Sequence, residues 1–263
     1  MELKGCVAVV TGGASGIGRA LCQRFAADGA RGIVVADLSE AGAQAVATEV
    51  KGLAVACDVA VESQIVELVR RTEAAFGPID LFVSNAGLAT KGGAEAPDAD
   101  WQLNWDVHVM SHVYAARAVL PGMIERGRGY LLNTASAAGL LTEMGSAPYS
   151  VTKHAAVAFA EWLSIQHYEA GIRVSCLCPM GVTTNMLTVD NPHVNYLKLT
   201  AVSPEHVAEE CVKAIREERF MVLPHPEVKE FYVYRANDTD RWMNGMRRLN
   251  KKNPRPVLTA SVT

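Results

Sequence analysis

Residues 7–18 read VAVVTGGASGIG, a short apolar run followed by a turn with glycine at 12, 13, 16 and 18. Val7–Val10 is too short for a helix and is closed off by Gly5 and the glycine cluster, which predicts a buried strand. From Ile17 the apolar residues recur at Leu21 and Phe25, the i, i+4 spacing of a helix face running to Ala27. The stretch is therefore a strand, a glycine turn and a helix in immediate succession. Glycines at such a turn let backbone N–H groups approach a phosphate at the helix N-terminus. The spacing is G-x-x-x-G-x-G, not the strict G-x-G-x-x-G fingerprint.

Outward from this unit the same alternation repeats. Ile33–Ala36, Leu53–Cys57, Leu81–Val83, Tyr130–Leu132, Ile172–Leu177 and Phe220–Leu223 are further apolar runs of strand length. Helical patterns separate them: Ala41–Val50, a stretch marked by Ile65, Leu68, Val69 and Phe76, Trp101–Arg126, Tyr149 to about Glu169, and Pro204–Glu218. Pro121 and Gly122 predict a kink near the end of the long third one. Continuous apolar strands alternating with helices predict an α/β fold: a doubly wound, mostly parallel sheet covered on both faces. No boundary, repeat or low-complexity tract divides residues 1–263, so a single domain is expected, with an irregular loop over 181–203 and an extension over 226–263.

With 263 residues, 49% apolar and 20% charged, the chain has the composition of a compact core. Its net charge of −3 gives no reason to expect nucleic acid. No run of eighteen apolar residues occurs, so no membrane span and a soluble, cytoplasmic protein are expected. The six cysteines, at 6, 22, 57, 176, 178 and 211, read as reduced buried thiols, and Cys176-x-Cys178 has neither zinc nor redox spacing. No metal site is expected.

Two features carry chemistry. Asp37 closes the second strand, nineteen positions after Gly18, and is followed by Leu38-Ser39-Glu40. A carboxylate there can accept from both ribose hydroxyls of an adenosine and repels a 2′-phosphate, so NAD is favoured over NADP. Asp58, after the third strand, suits either an adenine amino group or a helix N-cap. The second feature is Tyr149-x-x-x-Lys153, a pair on one helix face. A phenol titrates near pH ~10 and a neighbouring cation favours its ionised form, so Lys153 is expected to bring Tyr149 toward useful proton exchange. Ser136, just past the fifth strand, can reach back toward the same point.

These residues, with Asn85-Ala86-Gly87, Asp58-Val59, and Pro179 with Val182 and Thr184, resemble the short, single-domain branch of the short-chain dehydrogenase/reductase family over almost all of residues 4–225. The resemblance implies seven strands in the order 3-2-1-4-5-6-7 and reversible hydride transfer between NAD and a secondary alcohol or ketone. It implies a pyrophosphate loop built by Gly12, Ser15, Gly16, Ile17 and Gly18, with Asp37 and Leu38 at the ribose and Asp58 and Val59 at the adenine. Asn85, Ala86 and Gly87 would support the sheet edge, and Pro179, Val182 and Thr184 the nicotinamide. Tyr149 would be the acid/base, Lys153 its cation and ribose ligand, and Ser136 a donor to the substrate oxygen.

Two positions depart from the family pattern. His108 stands where the family has an asparagine that acts through a helix irregularity and a proton path to the lysine; a histidine can carry protons there or simply pack. Met180 stands where glycine is usual. The expected pocket, Leu88, Ala89, Leu141, Met144, Met186, Leu187, Tyr196 and Leu197, is apolar, with Glu143 and His193 at its rim, and favours a hydrophobic substrate. Trp242, Met246 and Leu249 fall at helical spacing and predict a packed stripe. A homodimer or homotetramer is expected. A catalytically quiet NAD-binding protein and an NADPH-dependent ketoreductase are the competing readings.

Overall fold

The computed structural model describes residues 1–188 and 197–252, so His193 and Tyr196 lie outside the described residues. Strands β1 (Val7–Thr11), β2 (Gly32–Asp37), β3 (Leu53–Ala56), β4 (Leu81–Ser84), β5 (Gly129–Thr134), β6 (Ile172–Leu177) and β7 (Met221–Val222) form one sheet. Its order is β3-β2-β1-β4-β5-β6-β7, and every neighbouring pair is parallel. The order reverses between β1 and β4, so the chain winds outward in both directions from that pair. In doubly wound sheets the C-terminal strand ends at such a reversal are where ligands bind.

The helices are α1 (Gly16–Ala27), α2 (Glu40–Val50), α3 (Glu62–Phe76), α4 (Asp98–Trp105), α5 (Ser111–Glu125), α6 (Ala138–Leu141), α7 (Ala147–His167), α8 (Pro204–Glu217), α9 (Pro226–Asn237) and α10 (Thr239–Lys252). The strand alternation of side chains divides the interior in two. Val7 and Val9 join Phe82, Leu131 and the faces of α3, α5 and α7, whereas Ala8 and Val10 join Val35, Val83 and α1, α2 and α8. Burial on both faces is why these strands read as uninterrupted apolar runs. Each fully buried side chain such as Phe25 or Leu132 contributes about 1.5–3 kcal/mol.

Pro121, where a kink is expected, lies inside α5, which runs on to Glu125. The helix irregularity expected at the His108 position is a π turn over Asp106–Met110, between α4 and α5. There the Ser111 N–H reaches back five residues to the Asp106 carbonyl, and the Ser111 hydroxyl donates to the Val107 carbonyl at 2.6 Å. His108 is at the middle of this turn. Near the other end of the described residues, Trp242 packs against Phe231 and Tyr234 of α9, whereas Leu249 of the expected stripe is exposed.

Candidate active site

The glycine turn is held by the strands on either side of it. Gly13 N–H donates to the Ala36 carbonyl, and Ala14 N–H to Asp37 Oδ2 at 3.0 Å. Asp37 Oδ1 accepts from Ser39 N–H at 2.9 Å, so each carboxylate oxygen holds one amide and keeps a lone pair for a further donor. Gly12 and Gly16 have φ of 63° and 50°. A Cβ on Gly18 would collide with the Gly12 carbonyl and come within 2.8 Å of Asn85 Nδ2. Close backbone approach, not turn flexibility alone, requires glycine at 18. Ser15 stands at the N-cap of α1 with no side-chain capping bond, whereas Ser39, Ser146 and Ser203 cap α2, α7 and α8. The first N–H groups of α1 thus lack a side-chain cap beside a turn whose own residues Gly12, Gly13, Gly16 and Gly18 carry no side chain, which fits the pyrophosphate of a dinucleotide. Ile17 packs into the core, Leu38 is exposed, and Val59 is buried. Asp58 Oδ1 is committed to Ala60 N–H at 2.9 Å, a local turn before α3.

Asn85 ties β4 to this loop. Its Nδ2 donates to the Thr11 carbonyl at 3.0 Å, and its N–H and that of Ala86 donate to Thr11 Oγ1. Thr11 was not a sequence candidate; a threonine at a strand end carries no pattern that reveals two amides converging on its hydroxyl. Gly87 follows, where a Cβ would lie within 3.8 Å of both His108 Nε2 and Lys153 Nζ.

Tyr149 and Lys153 share one face of α7, as their spacing predicts. Ser136 lies near enough to the Tyr149 phenol to favour its ionised form, and its Oγ accepts from Ala138 N–H at 3.1 Å. Lys153 is 3% exposed and donates to the Thr134 carbonyl at 3.0 Å, with Nζ 5.7 Å from the Tyr149 ring centre. The expected electrostatics are corrected here. Burial pushes the Tyr149 phenol above its ordinary value, and the nearby Ser136 hydroxyl offsets this only in part. Burial also pushes Lys153 down to about 8. One of the three ammonium protons goes to the Thr134 carbonyl at the end of β5, and burial outweighs what lowers the phenol, so Tyr149 stays raised.

His108 is fully buried. Leu88 N–H donates to its Nε2 at 3.3 Å, and its Nδ1 lies 2.9 Å from Thr152 Oγ1. An amide can only donate, so Nε2 is the acceptor and Nδ1 carries the proton. The ring stands edge-on to Tyr149, with centres 5.4 Å apart. Burial, then Lys153 and His112, push His108 down to about 2, so it is neutral at ordinary pH. Met180 takes a φ outside the left-handed region; the position that tolerates no side chain is Gly181, whose Cβ would strike the Leu197 carbonyl.

The pocket candidates are only partly gathered. The segment after β4, which carries Leu88 and Ala89, joins the loop before α7, which carries Glu143 and Met144, through a Gly92–Ser146 bridge. Leu141 is buried, while Leu187 and Leu197 are half-buried. Met186 is exposed on a short 3-10 turn at Asn185–Thr188. Pro179 and Val182 are buried, and Thr184 sits against Gly16.

The family model described as short chain dehydrogenase matches residues 6–195, and the chain belongs to that family. It is 36% identical over 241 residues to 1-deoxy-11-beta-hydroxypentalenate dehydrogenase of Streptomyces exfoliatus, covering 87% of this chain and 86% of that protein. It is 34% identical over 192 residues to 3beta-hydroxysteroid dehydrogenase 2 of Eggerthella lenta, covering 70% and 74%. The crystal structure of a short chain dehydrogenase/reductase SDR from Burkholderia phymatum in complex with NAD matches with a TM-score of 0.83 at 28% identity, over 91% of this chain and 96% of that one. The fold and the oxidoreductase class follow. Among the described residues no helix is long and apolar enough to cross a membrane.

Proposed function

We propose that the protein is an NAD-dependent oxidoreductase that interconverts a hydrophobic secondary alcohol and a ketone, with Tyr149 as acid/base. The observation that carries this reading is the convergence of Ser136, Tyr149 and Lys153 at the C-terminal strand ends that also carry the glycine turn and Asp37. Gly12, Gly16, Gly18 and the N-terminus of α1 would hold the pyrophosphate, Asp37 the adenosine ribose, and Val182 and Thr184 the nicotinamide end. A bound nicotinamide would supply the hydride acceptor for alcohol oxidation and the hydride donor for ketone reduction. Tyr149 takes the hydroxyl proton as the alcohol becomes a ketone and gives it back in the reverse direction. Ser136 donates to the substrate oxygen, where charge develops. The raised phenol makes Tyr149 ready as an acid for reduction.

The preference for NAD rests on Asp37, which has no Lys or Arg in the three residues that follow. The preference for a hydrophobic alcohol rests on Leu88, Leu141, Met144 and Met186, and on the names of the hydroxypentalenate and hydroxysteroid relatives. Self-association through α5 and α7 is part of the proposal. Their outer faces form an apolar groove of about 350 Å³ lined by Val113, Leu120, Phe159 and Trp162.

A specific observation favours the quiet-binder alternative: His108 is neutral and both ring nitrogens are occupied, so it supplies no titrating group. The test is NADH formation or consumption with a panel of hydrophobic secondary alcohols and ketones, with NADP(H) in parallel. Turnover with NAD(H) and a hydrophobic substrate is expected. NADH binding without turnover of any substrate supports the quiet binder, and a preference for NADPH removes the argument from Asp37.

A further inference from the structure

The chain leaves β6 at Leu177 and runs through Cys178, Pro179, Met180 and Gly181 to Thr184, passing beside both halves of the candidate site. At one end the Pro179 carbonyl accepts from Ala137 N–H at 2.8 Å and lies 3.4 Å from Ser136 Oγ. At the other, Thr184 is close enough to Gly16 that a Cβ there would meet its Cγ2 at 3.0 Å. A buried loop of this kind must find a partner for each backbone N–H and carbonyl. Between the two ends, two consecutive residues find theirs on a single side chain from a distant element.

That side chain is His225, which follows β7 and immediately precedes α9. It occupies the N-cap position of α9 without making a capping bond, and it is 1% exposed. Met180 N–H donates to its Nδ1 at 3.2 Å, and its Nε2 donates to the Gly181 carbonyl at 2.9 Å. An amide can only donate and a carbonyl can only accept, so the ring is neutral with its proton on Nε2. Burial supports this state by lowering the imidazole below its ordinary value, although the bond to the Gly181 carbonyl and then Glu227 oppose it. The Gly181 carbonyl also accepts from Val202 N–H at 3.1 Å, and Thr183 N–H donates to the Val202 carbonyl at 2.9 Å. The loop is thus held by the 200–203 stretch on one side and by His225 on the other.

We propose that His225 is a positioning residue that sets the orientation of the Met180–Thr184 backbone and, through it, the nicotinamide end of the cofactor site. The proposal rests on the nucleotide reading given above. A histidine that only fills space has no need to satisfy opposite polarities on successive residues of one loop. Nor can the turn find an alternative course by moving toward Leu197, because the Leu197 carbonyl already abuts Gly181. The side chain of Met180 packs against the core, so His225 reads the Met180 amide while the methionine tail anchors the loop from the other side.

The test separates the two ends of the nucleotide. In the full-length protein, His225→Leu removes both bonds, whereas His225→Gln offers an acceptor and a donor on one amide. Binding of NADH is followed by its fluorescence, and binding of ADP-ribose, which lacks the nicotinamide, by competition. His225→Leu is expected to weaken NADH about tenfold, the size of a pair of buried hydrogen bonds, while ADP-ribose changes less than about twofold. His225→Gln is expected to bring NADH back to within about threefold of wild type. If His225→Leu does not fold, His225→Asn, whose shorter amide serves one partner at a time, takes its place with the same expectation. NADH affinity unchanged in the variant, or NADH and ADP-ribose weakened equally, overturns the proposal and leaves His225 a packing residue. A wild-type protein that binds neither NADH nor NADPH overturns the nucleotide reading and the positioning role together.

Discussion

Replacing His108 with leucine tests whether this histidine is a neutral structural residue or a proton carrier. The substitution keeps most of the side-chain volume but strips Leu88 N–H of its acceptor at Nε2. A buried donor left unpaired costs about 1–3 kcal/mol. Loss of the edge-on ring contact with Tyr149 adds about 0.5–1.5 kcal/mol. Thr152 Oγ1 is less affected, because it still donates to the Pro148 carbonyl at 2.8 Å. The sum is about 3 kcal/mol, or a fall in Tm of about 6–12 °C for a chain of this size.

The pH dependence sharpens the test. The folded-state pKa of His108, about 2, lies far below the ordinary value of 6.5. Its neutral form is therefore stabilising above pH 6.5, and that contribution is lost as pH falls toward the folded value. One proton costs about 1.4 kcal/mol per pH unit in that window, so the wild type loses about 2 kcal/mol by pH 5 that His108→Leu does not lose. Thermal unfolding at pH 7.5 and pH 5 should accordingly show the deficit of the variant shrinking from about 3 to about 1 kcal/mol. A deficit equal at both pH values, or a kinetic limb near pH 6–7 that vanishes in His108→Leu, would mean that the histidine titrates and would refute the reasoning.

Gly18→Ala should destabilise the fold by about 3 kcal/mol and weaken nucleotide binding, because its Cβ meets the Gly12 carbonyl; Gly245→Ala, inside α10 with no atom within 4 Å, should gain about 0.5–1 kcal/mol, and equal effects in denaturant titrations would contradict the packing argument. Asp37→Ala should lower the NADH-over-NADPH preference at least about tenfold in kcat/KM, and an unchanged ratio would remove the ribose role. Lys153, at about 8, is charged below that pH and loses its proton above it, so cofactor-dependent kcat/KM should decline above about pH 8. Lys153→Arg stays charged and should lack that limb even where its activity is lower; the same limb in both proteins would assign it elsewhere.

The sheet was legible because parallel strands buried on both faces leave apolar runs that no other element imitates at that length, as at Val7–Val10 and Ile172–Leu177. The glycine turn was legible for the opposite reason: its residues are wrong for the interior of either neighbouring element. The π turn at Asp106–Met110 was legible only through the resemblance at His108, since one extra residue in a helical turn barely disturbs the apolar period. Tyr149 and Lys153 could be paired from their spacing, but not the use of the ammonium by Thr134, which depends on β5 ending beneath α7. His225 was invisible for a similar reason. Its partners, Met180 and Gly181, lie some forty-five positions away, and only the meeting of β6 and β7 brings them together.

The most direct test of the proposed chemistry is Tyr149→Phe, which removes one oxygen from a ring held between His108 and Lys153. With NAD and a hydrophobic secondary alcohol that the wild type oxidises, turnover should fall at least about a hundredfold while NADH binds within a few-fold of wild type. Turnover retained within tenfold at unchanged NADH affinity would contradict the assignment of Tyr149 as the acid/base.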